Sequence, residues 1–194
     1  MKIKEAFDNP DKIFFTSDTH FGHANIIKYC NRPHKDVYEM NQDMVTLWNS
    51  VVPEDGIVFH LGDFALADSK TIRHVYDSLN GKKYLLWGNH DRGNLEHIHK
   101  DKIYDILEIT IKDEEIEDDY QKIVLCHYPI LSFHGSHKGW WHLYGHCHGT
   151  LQHPMVTAMD VGVDLHGFKP LSYLEVKTLI TKRALAKANE NKKI

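Results

Sequence analysis

The chain has 194 residues, 42% of them apolar and 26% charged, enough for one sizeable core and short for two, so a single domain over 1–194 is expected. Its 23 Lys and Arg against 27 Asp and Glu leave a net charge of −4, which argues against a protein that holds long nucleic acid by charge. No segment reaches the ~18 consecutive apolar residues of a membrane span, and the start, MKIKEAFDNPDK, lacks the apolar stretch of a signal peptide; a soluble, cytoplasmic protein is expected.

In chain order, the first strand-like run is Lys12 to Ser17. DGIVFHLGD and KKYLLWGNHD repeat its pattern, and each runs into a polar turn. Between these strands, Met40, Met44, Leu47, Trp48 and Val51 recur at helical spacing, and Ser69 can cap a second helix with the stripe Ile72, Val75 and Leu79. A βαβαβ order with parallel strands brings the carboxyl ends of all three strands to one sheet edge, where open α/β sheets bind ligands. Beyond Asp91 the strand-like runs are Ile103 to Ile111, Gln121 to Cys126, His142 to Tyr144 and Met155 to Val161, which predict a second, mostly antiparallel sheet. The capping box Ser172 with Glu175 predicts a last helix over Val176, Leu179 and Ile180, fraying into the polar end ALAKANENKKI.

Sixteen histidines are more than a core can use, and they gather between His127 and His166. Five polar clusters stand at the predicted strand ends: Asp18-Thr19-His20, Gly62-Asp63, Gly88-Asn89-His90-Asp91, His127, and Gly145-His146-Cys147-His148. On extended backbone, residues i and i+2 share a face, so Asp18 with His20, and His146 with His148, can each point at one center, while Cys126 and Cys147 turn away. An oxygen and nitrogen donor set suits manganese, iron or zinc left open to water, whereas thiolates would have meant a closed zinc site. Three cysteines, unevenly spaced, make no disulfide framework and fit a reducing compartment.

Taken together, the clusters resemble the calcineurin-like metallophosphoesterase superfamily, whose pattern runs D-x-H, G-D, G-N-H-D/E, H and G-H-x-H. FTSDTHFGHANIIKYCNRP and DVGVDLHGFKPLS further resemble a small stand-alone bacterial and phage subgroup. The resemblance implies an α/β fold, specifically an αββα sandwich of two facing mixed sheets flanked by helices, with two divalent metal ions, manganese first and iron or zinc as alternatives. Carried over, one metal is held by Asp18, His20, Asp63 and His148, and the other by Asp63, Asn89, His127 and His146. On that resemblance Asp63 would be shared by both cations, which would supply an activated water as the nucleophile toward phosphorus. His90 would stand beside the phosphate as a charge stabiliser or general acid, with Asp91 orienting its ring, so these two form the expected catalytic pair.

Two departures bear on substrate. Protein phosphatases of the superfamily extend the second motif as G-D-x-V-D-R-G, whereas Gly62-Asp63-Phe64-Ala65-Leu66-Ala67-Asp68 stands here; repair nucleases add a capping domain for which about 45 residues after His148 leave no room. Asn89, His23 and Arg32 are candidate substrate contacts, and two have a bland counterpart: His23 as a turn cap, Arg32 as a solvated side chain. Tyr128 to Trp141 reads as a substrate-facing loop whose Trp140 and Trp141 could stack on a base or pack beneath the loop. Asp160 and Asp164 are either supports for ligand histidines or ordinary turn residues. His60 should face away from Asp63. His34, His74, His97, His99, His153 and His166 carry no assigned role. The expected activity is hydrolysis of a small phosphodiester, such as a cyclic or other nucleotide. A phosphomonoester is the second choice, and a metal-bound binding module without turnover is the rival from another class.

Overall fold

The structure is a computed structural model that describes residues 2–3, 6–93, 95 and 103–191; His97, His99 and the last three residues of the predicted fraying end lie outside them. It is a mixed α/β fold with two four-stranded mixed sheets and four helices. The first sheet contains β1 (Ile13–Thr16), β2 (Ile57–His60), β3 (Lys82–Leu85) and β8 (Leu171–Ser172), in the order β3-β2-β1-β8. β1, β2 and β3 run parallel and β8 pairs antiparallel to β1. The predicted βαβαβ core is therefore present. All four residues of β1 are buried, as expected for a strand covered on both faces.

The second sheet, β4-β5-β6-β7, is built from β4 (Ile106–Lys112), β5 (Tyr120–Cys126), β6 (Trp141–Tyr144) and β7 (Ala158–Asp160). Only β4 and β5 pair antiparallel; β5-β6 and β6-β7 are parallel, which corrects the mostly antiparallel expectation. The reason is connection length. A short acidic turn joins β4 to β5, whereas 127–140 and 145–157 are long enough for the crossovers that parallel pairing requires. Phe15, Phe59, Leu107, Ile109, Leu125 and Leu143 from both sheets meet in one buried cluster, so the sheets face each other. Burying a side chain of that size contributes roughly 1.5–3 kcal/mol.

Helices α1 (Ile26–Tyr29), α2 (Val37–Val51) and α3 (Ser69–Ser78) cover the outer face of the first sheet, where Met40, Met44, Trp48, Ile72 and Val75 pack with Phe14 and Val58. The cap of α3 is Asp68 rather than Ser69: its carboxylate accepts the Lys70 and Thr71 amides at 3.0 Å. The Ser172 and Glu175 box forms as expected at the start of α4 (Tyr173–Asn191). α4 buries Tyr173, Val176 and Ile180 against the core between the sheets, at the end away from the polar clusters. There Lys177 and the Tyr173 hydroxyl both donate to Asp113, and Arg183 donates to the Ala158 carbonyl at 2.6 Å. Among the described residues, the outer face of the second sheet is covered by the 128–140 connection, with Phe133 on His142 and the Ile130 amide donating to His142 Nε2 at 3.0 Å.

Candidate metal centre

The five clusters converge at the carboxyl ends of β1, β2, β3, β5 and β6. How they do so differs from the alternation argument. Asp18, His20, Asp63, His146 and His148 all have left-handed backbone, with φ of 58, 51, 56, 68 and 45°. They are five of the eight non-glycine residues with positive φ among the described residues. Such conformations cost on the order of 1–3 kcal/mol each and persist where surroundings enforce them. Here the enforcement is visible. Asp18 N–H donates to the Gly62 carbonyl at 3.0 Å and His20 N–H to the Asp63 carbonyl at 2.9 Å, while His146 N–H donates to the Asp18 carboxylate at 3.0 Å. A Cβ on Gly145 would overlap Ser17 Oγ and Asp18 Oδ2, which explains the glycine in that motif.

Three groups of ligand-type atoms result among the described residues; in one of them, Cys30, His148 and Asp164, the carboxylate is already taken by His148 Nδ1 and Arg32, and the other two are Asp18, His20 and His148, and Asp63, His127 and His146. Asp63 Oδ2 lies 3.6 Å from His20 Nε2 and 3.5 Å from His127 Nε2, so one carboxylate oxygen stands between the groups. Asn89 Oδ1 is 3.0 Å from His127 Nε2. His127 Nδ1 is 2.9 Å from the Leu61 carbonyl, which can only accept, so Nδ1 carries the proton and Nε2 presents its lone pair. His148 Nδ1 donates in the same way to Asp164 at 2.7 Å, leaving Nε2 facing Asp18 Oδ1 at 3.9 Å. Buried His20 Nε2 has no hydrogen-bond partner.

The lone pairs of His127 Nε2 and His148 Nε2, the unpartnered His20 Nε2 and the Asp18 and Asp63 carboxylates thus converge. Such an arrangement is costly unless a cation lies among them, and ligands at about 2.0–2.2 Å from one cation sit about 3–3.5 Å apart. The electrostatics agree. Burial pushes Asp18 up to about 8, and burial together with the Arg32 guanidinium pushes His20 down to about 2. Burial likewise holds His127 low. A divalent cation would stabilise the ionised carboxylates and the neutral imidazoles together, so this donor set fits one. Burial raises the Cys30 thiol to about 11 and lifts Cys126 and Cys147 above the ordinary thiol range.

The remaining candidates divide. His90 is exposed, its ring 5.3 Å from His20 and 5.8 Å from His23, and its amide donates to Asp63 Oδ1 at 2.8 Å. His23 does not cap a turn; its Nδ1 is 3.2 Å from His20 Nδ1 at the rim. Asp91 does not orient His90. Its fully buried carboxylate accepts the amides of Asp63, Phe64 and Gly88 at 2.7–2.8 Å and so clamps the Gly62-Asp63 turn. Burial pushes it up to about 6 against the pull of those amides.

Arg32 is likewise not a substrate grip. Its Nε and Nη2 hold Asp164 at 2.8 and 2.9 Å, and Nη2 and Nη1 also donate to the Asp18 and Thr19 carbonyls at 2.7 and 2.9 Å, with the side chain wholly buried. A guanidinium committed in this way has no face left for phosphate. Asp164 holds the candidate ligand His148, whereas Asp160 accepts the Gly149 and Gly162 amides. His60 faces the helices beside Trp48, away from Asp63, with Nε2 2.9 Å from Thr19 Oγ1.

The aromatic loop is also corrected. Trp141 is the first residue of β6 and stacks on Tyr173 in the core; Trp140 sits by His134 and Lys122, at the opposite end of β5 from His127. The residue of this segment that meets the site is Tyr128, with its ring 4.9 Å from His127 and 4.8 Å from His146. Sequence reasoning had named it only as a loop boundary.

No family model matches the chain. The uncharacterized protein MJ1445 of Methanocaldococcus jannaschii is 35% identical over 179 residues, covering 88% of this chain and 92% of that protein. The chain belongs to the family of MJ1445. The gene 66 proteins of the Mycobacterium phages L5 and D29 are more distant, 26% and 24% identical over 79% and 87% of this chain and 87% and 95% of their own lengths. A solved structure, the protein of unknown function AQ665 from Aquifex aeolicus, superposes with a TM-score of 0.65 at 24% identity, covering 86% of this chain and 98% of that one, so the two share a fold.

Proposed function

We propose that this member of the MJ1445 family is a dinuclear metallophosphoesterase of the calcineurin-like kind, an αββα sandwich that hydrolyses a small phosphodiester in the cytoplasm. The observation that carries the reading is the pair of ligand groups meeting at Asp63 Oδ2, 3.5 Å from the His127 Nε2 lone pair and 3.6 Å from the unpartnered His20 Nε2. Asp18, His20, Asp63 and His148 would hold one divalent cation, and Asp63, Asn89, His127 and His146 the other. Manganese is the first choice, with iron or zinc as alternatives. Bound there, the cations supply an activated water and neutralise charge on phosphoryl oxygens.

The chain's own residues do the rest. Leu61 and Asp164 fix the tautomers of His127 and His148, and Asp91 fixes the turn that carries Asp63. His90, exposed beside His20 and His23, is placed to donate to a phosphoryl or leaving-group oxygen. With Arg32 engaged by Asp164, the described residues of the centre offer no guanidinium fork for a phosphate dianion, which favours a diester over a monoester.

The deciding experiment measures manganese content and hydrolysis of bis-p-nitrophenyl phosphate and p-nitrophenyl phosphate by the purified protein. Turnover of the diester above the monoester is expected. Two bound metals with no turnover of either would overturn the enzymatic reading in favour of a binding module.

A further inference from the structure

The metal centre has two unlike rims. On one, His23 and His90 crowd His20. On the other, a cleft of about 450 Å³ opens between the ends of β3 and β5, walled by Trp87, Asn89, Ile106, Cys126 and Tyr128, with Arg92 at its edge. It shares two walls with the centre. Asn89 Oδ1 is 3.0 Å from His127 Nε2, and the Tyr128 ring rests against both His127 and His146.

We propose that this cleft is the subsite for a flat aromatic ring system of nucleobase size carried on one ester arm of the substrate. The inference rests on the phosphoesterase reading and names what the same site selects. Three observations carry it. The volume lies within the roughly 300–1,000 Å³ range of small-molecule sites. The walls are an indole, a phenol ring, a branched aliphatic chain and a cysteine side chain, surfaces on which a planar ring stacks with few hydrogen bonds to satisfy. Ile106 and Tyr128 keep 42% and 45% of their surface exposed at its mouth, apolar area that a ring would cover.

The charges decide against a second phosphate in the same place. Among the described residues, Arg92 is the guanidinium at the edge, and its Nη2 lies 3.7 Å from Asp105 Oδ1, so a carboxylate matches it. An uncharged heteroaromatic edge can use such a donor and acceptor together, whereas a phosphate would be repelled by Asp105.

The test uses two diesters with the same leaving group, thymidine 5′-p-nitrophenyl phosphate and methyl p-nitrophenyl phosphate, on manganese-loaded protein. The expected KM is at least tenfold lower for the thymidine ester. Trp87→Ala and the more exposed Ile106→Ser should each cut that preference at least fivefold. Equal KM values in the unmodified protein, or a preference that survives both substitutions, would overturn the proposal. Quenching of tryptophan fluorescence by adenosine gives a readout independent of turnover. If neither ester is hydrolysed but adenosine quenches the unmodified protein and fails to quench Ile106→Ser, the phosphoesterase reading falls and the ring subsite stands. If neither turnover nor quenching occurs, the subsite falls as well.

Discussion

Replacing Arg32 by Met separates a structural guanidinium from a substrate-gripping one. The side chain is wholly buried and Asp164 is nearly so, with two short hydrogen bonds between them, so solvent screens the pair little. Removing one partner of a buried pair costs about 3–5 kcal/mol, because the other charge stays desolvated. The Asp18 and Thr19 carbonyls lose their donors as well. A loss of about 3–5 kcal/mol is therefore expected by urea unfolding, with Arg32→Lys falling between the variant and the unmodified protein, since an ammonium restores charge but not the fork. Asp164 also orients His148, so manganese titrated by calorimetry should bind one of its two sites roughly 10–100-fold more weakly. If Arg32 instead gripped phosphate, the variant would remain stable and fully metallated while KM rose. Stability within about 1 kcal/mol of the unmodified protein and two undiminished metal equivalents would refute the reasoning.

Asp63→Asn should lose metal and activity together, and more severely than His20→Ala, because both ligand groups use the same oxygen; elemental analysis showing two full equivalents in an active variant would contradict this. His90→Ala should keep its metal while kcat falls by roughly 10²-fold, with a smaller loss for p-nitrophenyl esters than for alkyl esters if His90 protonates the leaving group. Trp141→Ala should lower Tm rather than shift KM, since the ring stacks on Tyr173 in the core; unchanged thermal unfolding with a raised KM would reverse that assignment. At the far end, burial raises Asp113 but the Lys177 and Tyr173 hydrogen bonds outweigh it and hold the carboxyl below its ordinary value. A depressed folded pKa contributes stability above the unfolded value of about 3.9 and loses it as pH falls through the folded one. The stability difference between the unmodified protein and Asp113→Asn should accordingly be present at neutral pH and shrink below about pH 4 in urea unfolding, and a difference that grows with acid would show the sign to be wrong.

Much of the site was legible in the chain because its signals are local. A strand of four or five apolar residues, the polar turn after it and the metal-binding residue types in that turn all lie within a short window, so Asp18, His20, Asp63, Asn89, His127, His146 and His148 could be picked out with the strand ends that carry them. The same holds for α2, whose buried stripe follows helical spacing, and for the Ser172 and Glu175 box, whose partners are three residues apart. Only the tertiary structure decided what long-range packing controls. Asp18 and His20 converge through left-handed backbone held by the Gly62 and Asp63 carbonyls, not through strand alternation. Arg32 meets Asp164 across 132 residues, Asp91 reaches back 28 residues to the Asp63 amide, and Trp141 turns into the core instead of toward the rim. Residue type and period fix which side chains a segment can offer to a site. Which of them reach it, and which are bound up holding it in place, depends on the packing of distant loops against one another, and no window of neighbouring residues contains that information.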